Sequence, residues 1–225
     1  MNPFAVLIGL LQDRHTFLEH IKKGIKLDNK IISLLISSAV FFGIYGLIIG
    51  SSHSWMQAIS SFFKLPSLYL LTLLICFPTL YIFSTIFGSK RSFKQYLTLL
   101  MTAEAIMSAI LFGFAPVTLF FLISTQSYEF FLLLNVAILS LTGFLGIKFF
   151  YEGMQMLAEP EIPGQKTRTQ LLQFWLLLYA FVGTQMAWTL RPFFGSPGSF
   201  QLFRELEGNF YLNVLQLIGK LLGYQ

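Results

Sequence analysis

The chain has 225 residues, of which 55% are hydrophobic and only 11% are charged. A soluble domain usually carries about 25% charged residues, so this composition excludes an ordinary water-soluble protein and favours an integral membrane protein. The net charge of +5 does not require a nucleic-acid partner, because basic residues of membrane proteins gather in cytoplasmic loops and near anionic headgroups. We therefore expect the lipid bilayer, and no nucleic acid, among the partners.

Residues 1–30 have the pattern of an amphipathic helix. Their apolar side chains recur at helical spacings of three and four between charged ones. We predict a helix on the cytoplasmic side that lies on the membrane surface with its apolar face in the lipid. The alternative is a helix packed on the membrane spans. The surface position is favoured by four lysines that approach the first apolar stretch: Lys22, Lys23, Lys26 and Lys30.

Residues 31–190 contain five stretches that are long and apolar enough to cross a bilayer, which takes about 20 helical residues. Pro78 and Pro116 are expected to kink the second and third spans. For the third span, the alternative is a break at Gly113–Pro116 that leaves residues 117–123 as a re-entrant piece. We favour one long kinked helix, because seven residues cannot cross alone. The predicted spans are residues 31–50, 66–88, 96–123, 130–150 and 171–190.

Two outer segments flank these spans. Residues 51–64 predict a short interfacial helix, with Trp55 as its aromatic anchor. Residues 191–225 form an outer loop and a tail with apolar residues at helical spacing, which predicts a second interfacial helix or a helix that packs on a partner. The predicted fold class is all-α: a polytopic transmembrane helical bundle with amphipathic N- and C-terminal helices. The candidate partner-binding surface comprises Arg191, Phe193, Phe194, Phe203, Phe210 and Tyr211.

The distribution of basic residues predicts the orientation. In this topology, 11 of the 15 Lys and Arg residues lie on the side that holds the N-terminus. Basic residues concentrate in cytoplasmic loops, so we expect the N-terminus in the cytoplasm and the C-terminus outside. The expected location is a bacterial inner membrane or a thylakoid rather than an organelle membrane.

Glu104 is the only acidic residue well inside a predicted span. A charge at that depth costs at least a few kcal/mol, so such a residue usually faces protein or water and often marks function. Ser108 lies one turn away on the same helix face, and Lys148, near the inner end of the fourth span, is a candidate ion partner. These residues form a candidate polar site: a proton or cation relay, or a latch for another subunit. The structural alternative is a protonated carboxyl group that is hydrogen-bonded within the bundle.

Small residues recur on two of the spans. Such residues let membrane helices approach each other closely, mostly within a bundle and sometimes between molecules. We therefore predict helix-packing positions in the first and fourth spans. They are Gly43, Gly46 and Gly50 in the first, and Ser140, Gly143 and Gly146 in the fourth.

Motifs for catalysis or metal binding are not found in the sequence. Cys76 is the single cysteine and lies in an apolar run, so it cannot form an intrachain disulfide or a thiolate metal site alone. The histidines at positions 15, 20 and 53 do not form the i, i+4 pair of a helical zinc site. We expect no cofactor, no metal and no enzymatic activity.

Residues 88–97 form a glycine turn and a Ser-Phe-Lys stretch that lead into the third span, and Asn2-Pro3-Phe4 precedes the first helix. With a cytoplasmic N-terminus and five spans, this pattern resembles the Yip family, the membrane proteins that interact with Rab GTPases, and especially its bacterial members. The resemblance covers residues 1–190. The acidic and Tyr-Gly-Pro signatures of the eukaryotic members are missing, so it does not imply GTPase binding. It implies a non-enzymatic bundle that acts in membrane organisation or assembly.

Two functions follow from these observations. The first is a scaffold, assembly factor or accessory subunit, with other membrane-protein subunits or further copies of the chain as partners. The second is a small oligomeric transporter or channel, proton-coupled through Glu104. Five spans with one buried charge make a poor pore unless the chain oligomerises, and no inverted repeat is visible. We therefore favour the first.

Overall fold

The computed structural model describes residues 2–52, 54–125, 127–158, 165–194, 202 and 210–221, and every element in them is an α-helix. Helices α3 to α7 are long and apolar enough to cross a membrane, which confirms the predicted all-α polytopic bundle. The helices are α1 (Pro3–Gln12), α2 (Arg14–Lys22), α3 (Leu27–Gly50), α4 (Trp55–Ile86), α5 (Phe93–Ser124), α6 (Tyr128–Leu157), α7 (Gln165–Thr189) and α8 (Phe210–Leu221).

The N-terminal segment forms two helices where the sequence predicts one. The chain bends at Asp13, whose side chain accepts a hydrogen bond from the Thr16 amide (3.0 Å) and caps α2. One face of the two helices is buried against the spans, in agreement with the alternative of a segment that packs on the bundle. Ile8 and Leu11 stay exposed on the other face of α1. The buried residues are Leu7, Leu10, Phe17, Leu18 and Ile21.

Helix α4 is continuous from Trp55 to Ile86, so the separate interfacial helix predicted over residues 51–64 is its first part. The physical reason is close packing against α3. A Cβ atom on Gly46 would lie 2.2 Å from the Ser61 carbonyl oxygen, which shows how near the two backbones come. This contact supports the first part of α4, before Pro66, which interrupts the hydrogen-bond pattern of the helix.

Helix α5 crosses in one piece, with Pro116 inside it, so the re-entrant alternative does not apply. A capping box starts the helix: the Ser92 hydroxyl accepts from the Gln95 amide (3.3 Å), and the Gln95 side chain accepts from the Ser92 amide (2.8 Å). Helix α3 packs between α4 and α5, while α6 packs on α5 and α7 packs chiefly on α4.

The loop before α5 and the first turn of α5 connect to α2, α3 and α6. Arg91 Nε donates to the Leu157 carbonyl at the end of α6 (3.1 Å), and its Nη1 donates to the Lys22 carbonyl at the end of α2 (3.3 Å). Lys94 forms an ion pair with Asp28 at the start of α3 (2.8 Å). We refer to this side of the molecule, around Lys22, Arg91 and Lys94, as the basic end.

Gly46→Ala is expected to destabilise the bundle. The new methyl group would overlap the Ser61 carbonyl, and overpacking of this kind typically costs about 1–3 kcal/mol. The free energy of unfolding in mixed micelles measures the loss. Gly143→Ala is the matched control, because no atom lies within 4 Å of a Cβ built there. Equal stability of the two variants would contradict the close α3–α4 packing.

Candidate functional site

Glu104 lies inside the bundle and is bonded to α7. Its side chain is 2% exposed. Its Oε1 atom accepts a hydrogen bond from the Tyr179 hydroxyl (2.5 Å). Its Oε2 atom is buried and has no hydrogen-bond partner among the described residues. The hydrogen bond agrees with the interpretation of Glu104 as a carboxyl group bonded within the bundle.

Trp175 positions Tyr179 for this contact. The Trp175 Nε1 atom donates to the Cys76 carbonyl of α4 (3.0 Å), and its ring lies against Phe150 (5.5 Å between centroids) and Tyr179 (5.4 Å). Trp175 therefore fixes α7 on α4, and Tyr179, one turn further along, reaches α5. Because α7 packs chiefly on α4, the Tyr179–Glu104 hydrogen bond is a polar connection between α7 and α5.

Ser108 and Lys148 do not join Glu104 as the sequence predicted. The Ser108 hydroxyl donates to the Ala105 carbonyl of its own helix (2.8 Å). Such a bond to the preceding turn satisfies a hydroxyl group locally. Lys148 is exposed on α6, whereas Glu104 is buried, so the two do not form an ion pair. Tyr179 on α7 takes the place of both as the polar partner.

A small cavity of about 10 Å³ adjoins the carboxyl group. A buried water needs roughly 10–15 Å³ of such volume, so the space lies at the lower limit for one water. It lies where α5, α6 and α7 meet, and α6 and α7 touch each other little there. Its lining includes Glu104, Met107, Gly146, Phe150, Trp175 and Tyr179.

A second polar cluster, which the sequence analysis missed, connects α3, α5 and α6. The Tyr45 hydroxyl donates to Asn135 Oδ1 (2.7 Å) and lies 3.1 Å from Thr118 Oγ1. All three side chains are fully buried. Asn135 Nδ2 donates to the Phe131 carbonyl (2.8 Å), which uses one of the two N–H groups of the amide. The signal in the sequence was Asn135 itself, an amide in the middle of an apolar run.

The segment after α7 folds back onto α4. Gln57 Nε2 donates to the Pro192 carbonyl (2.7 Å), and Ser61 Oγ donates to the Phe193 carbonyl (2.5 Å). The buried Lys64 Nζ also donates to the Pro192 carbonyl (3.2 Å) and to that of Leu202. Polar residues of α4 thus bind the backbone of the segment that follows α7.

The candidate partner surface is split by this packing. Phe193 and Phe194 are buried, and the Phe194 ring packs edge-on against Phe131 (6.0 Å). Arg191 lies over the Trp188 ring, 3.4 Å from its centroid. Phe193 and Phe194 are therefore core residues and not an exposed partner surface, because the backbone bonds of α4 draw them inward.

Helix α8 provides the exposed part of that surface. Phe210 is half-buried, and Tyr211 is exposed with its hydroxyl 3.0 Å from Thr184 Oγ1 on α7. Phe203 lies outside the described residues. Helix α8 packs on α6 and α7, and one set of its apolar side chains remains exposed. These are Leu212, Leu215 and Ile218.

The two sets of small residues differ in their surroundings. Gly46 and Gly50 face the backbone of α4, and Gly43 faces the ring of Phe62. In α6, Gly146 faces the flexible side chain of Met107, whereas Gly143 has open space around it. Ser140 is exposed. The glycines of α3 therefore lie at a helix contact. In α6, only Gly146 does.

Within the described ranges, there is no group of three or more His, Cys, Asp or Glu residues that could hold a metal ion. Comparisons with protein-family models, curated proteins and solved structures found no match to this chain. The resemblance to the Yip family therefore stays a prediction.

Tyr179→Phe is expected to destabilise the bundle by about 1–3 kcal/mol, because it leaves a buried carboxyl group without its hydrogen-bond donor. Replacing both partners, in Glu104→Met with Tyr179→Phe, is expected to restore most of the loss. The free energy of unfolding in mixed micelles is measured for the single and the double variant. Ser108→Ala is the control and should change stability less than Tyr179→Phe does, because the Ser108 hydroxyl bonds to a carbonyl of its own helix. If Tyr179→Phe leaves the free energy of unfolding unchanged, the Tyr179–Glu104 hydrogen bond is contradicted.

The buried Tyr45–Asn135 pair is expected to show a favourable coupling energy. Hydrogen bonds between membrane helices average about 0.6 kcal/mol in double-mutant cycles. The cycle consists of Tyr45→Phe, Asn135→Leu and the double variant, each measured by unfolding in mixed micelles. Thr98→Val combined with Asn135→Leu is the control pair, since Thr98 bonds to the Lys94 carbonyl of its own helix. Purely additive effects in both cycles would contradict the interhelical bond.

Proposed function

We propose that this protein is a non-enzymatic membrane subunit: a scaffold, assembly factor or accessory subunit of a larger membrane complex. The observation that carries the proposal is the use of polar groups inside the bundle. Tyr45 bonds to Asn135, Tyr179 bonds to Glu104, and Gln57 bonds to the Pro192 carbonyl. Each pair joins different parts of the same chain. These polar groups therefore stabilise the packing of the bundle.

The exposed face of α8 is the surface that we assign to a partner. This helix lies against α6 and α7, and the contact between Tyr211 and Thr184 helps to hold it there. Its outward side chains Leu212 and Leu215 are 55% and 64% exposed. An apolar helix face held beside a bundle suits docking against the apolar surface of a neighbouring membrane subunit.

The test is purification of the full chain from its native membrane in mild detergent, with mass measurement and identification of co-purifying proteins. We expect an assembly much larger than the 25.6 kDa chain, with another membrane protein in fixed proportion. The double variant Leu212→Ser with Leu215→Ser should release that partner. The same change at Ile8 and Leu11, which are exposed on α1, is the matched control. Isolation of the chain alone would contradict an obligate subunit.

A second candidate function is proton-coupled transport by an oligomer. The observation that favours it is the buried Glu104 Oε2 atom, which lacks a hydrogen-bond partner among the described residues and adjoins a small cavity. An ionisable group inside a membrane domain is often part of a proton pathway. Loose contact between α6 and α7 would ease the opening of this region.

Proton flux into reconstituted vesicles separates the two candidates. Transport requires that Glu104→Gln abolish a flux that the unchanged protein supports, since the amide keeps the shape but cannot carry the proton. Ser108→Ala is the control, because its hydroxyl bonds only within α5. A subunit role predicts no flux above that of empty vesicles for any of the three proteins.

A further inference from the structure

A cavity lies at the basic end of the protein. Its volume is about 150 Å³, and it is bounded by the ends of α4, α6 and α7 and by the loop before α5. An apolar cavity of about this volume takes up a molecule such as benzene. It is separate from the Glu104 cavity, and the Trp175 ring borders both.

The charged residues of this cavity lie at one end. At the end near the helix termini its lining contains two arginines, Arg91 and Arg168, with Ser89 and Thr169 beside them. Further along α4 and α7 the lining is mostly apolar and aromatic, with Thr79 as a polar member. It includes Leu80, Phe83, Leu172, Phe174, Trp175 and Leu178.

The length of the cavity fits half of a bilayer. Arg168 and Leu178 are ten residues apart on α7, which corresponds to about 15 Å along a helix. Half of a hydrocarbon core of about 30 Å has the same depth. Phe83 and Phe174 line the cavity and are also 45% and 68% exposed, so it reaches the surface of the bundle between α4 and α7.

We propose that this cavity binds one phospholipid with an anionic headgroup. The headgroup phosphate lies at Arg91 and Arg168, and part of one acyl chain enters between α4 and α7. Arg91 is already oriented by its bonds to the carbonyls of Leu157 and Lys22, so its charge is held at the mouth. Basic pockets between helices at a membrane surface are suited to anionic headgroups.

The test offers the purified chain in mild detergent an equal mixture of phosphatidylglycerol and phosphatidylcholine, and counts bound lipids by native mass spectrometry. One phosphatidylglycerol should be retained with a preference of about 25-fold, because each of the two arginines near the headgroup contributes a factor of about five. Arg168→Gln should reduce that preference about fivefold. Equal retention of the two lipids, or retention of neither, overturns the proposal.

A pair of bulky substitutions on α4 tests the location. Ser84 lines the cavity, whereas the next residue, Thr85, is exposed and does not. Ser84→Trp should displace the lipid by filling the mouth, while Thr85→Trp should leave retention unchanged. Both variants are first compared with the unchanged protein in thermal unfolding, and Arg168→Gln serves as an independent variant without added bulk. Equal retention by Ser84→Trp and Thr85→Trp overturns the proposal.

Discussion

The lack of water in the hydrocarbon core is the constraint on which this structure depends. Polar groups at that depth must find partners within the protein, because lipid offers none. Many hydroxyl groups of the spans meet this need locally, through bonds to the carbonyls of the preceding turn. They include Ser37, Ser38, Thr72, Thr98 and Thr102. Tyr45 and Tyr179 instead donate hydrogen bonds to other helices, and those bonds help to fix how the helices are arranged.

Backbone proximity and interhelical hydrogen bonds have separate roles in the bundle. Gly46 and Gly50 bring α3 and α4 together, which increases the van der Waals contact that drives association of membrane helices. Tyr45 connects α3 to α6, and Tyr179 connects α7 to α5. Because α7 shares little surface with α6, its position depends on Trp175, Tyr179 and its packing on α4. The cavities at Glu104 and at the basic end both lie beside this less enclosed helix.

The sequence allowed part of the candidate site to be predicted. A carboxyl group in an apolar run has a cost that depends on composition alone, so Glu104 could be singled out, and small residues marked the close approach of α3. The partner of Glu104 could not be found in this way, because Tyr179 lies 75 positions away. Ser108 and Lys148 were chosen by spacing and depth, which do not fix which way a side chain points. The inward packing of Phe193 and Phe194 likewise depends on bonds from α4.

The membrane class, the number of long apolar helices and the all-α fold could be predicted from the sequence. Each depends on the length and polarity of local stretches, and the bilayer requires about 20 apolar residues for each crossing. The tertiary structure decided that Asp13 divides the N-terminal segment, that α4 continues through Pro66, and that Arg91 and Arg168 lie at one cavity. These features depend on contacts between distant parts of the chain. Helical periodicity sets which residues share a face, but it does not select the helix that the face meets.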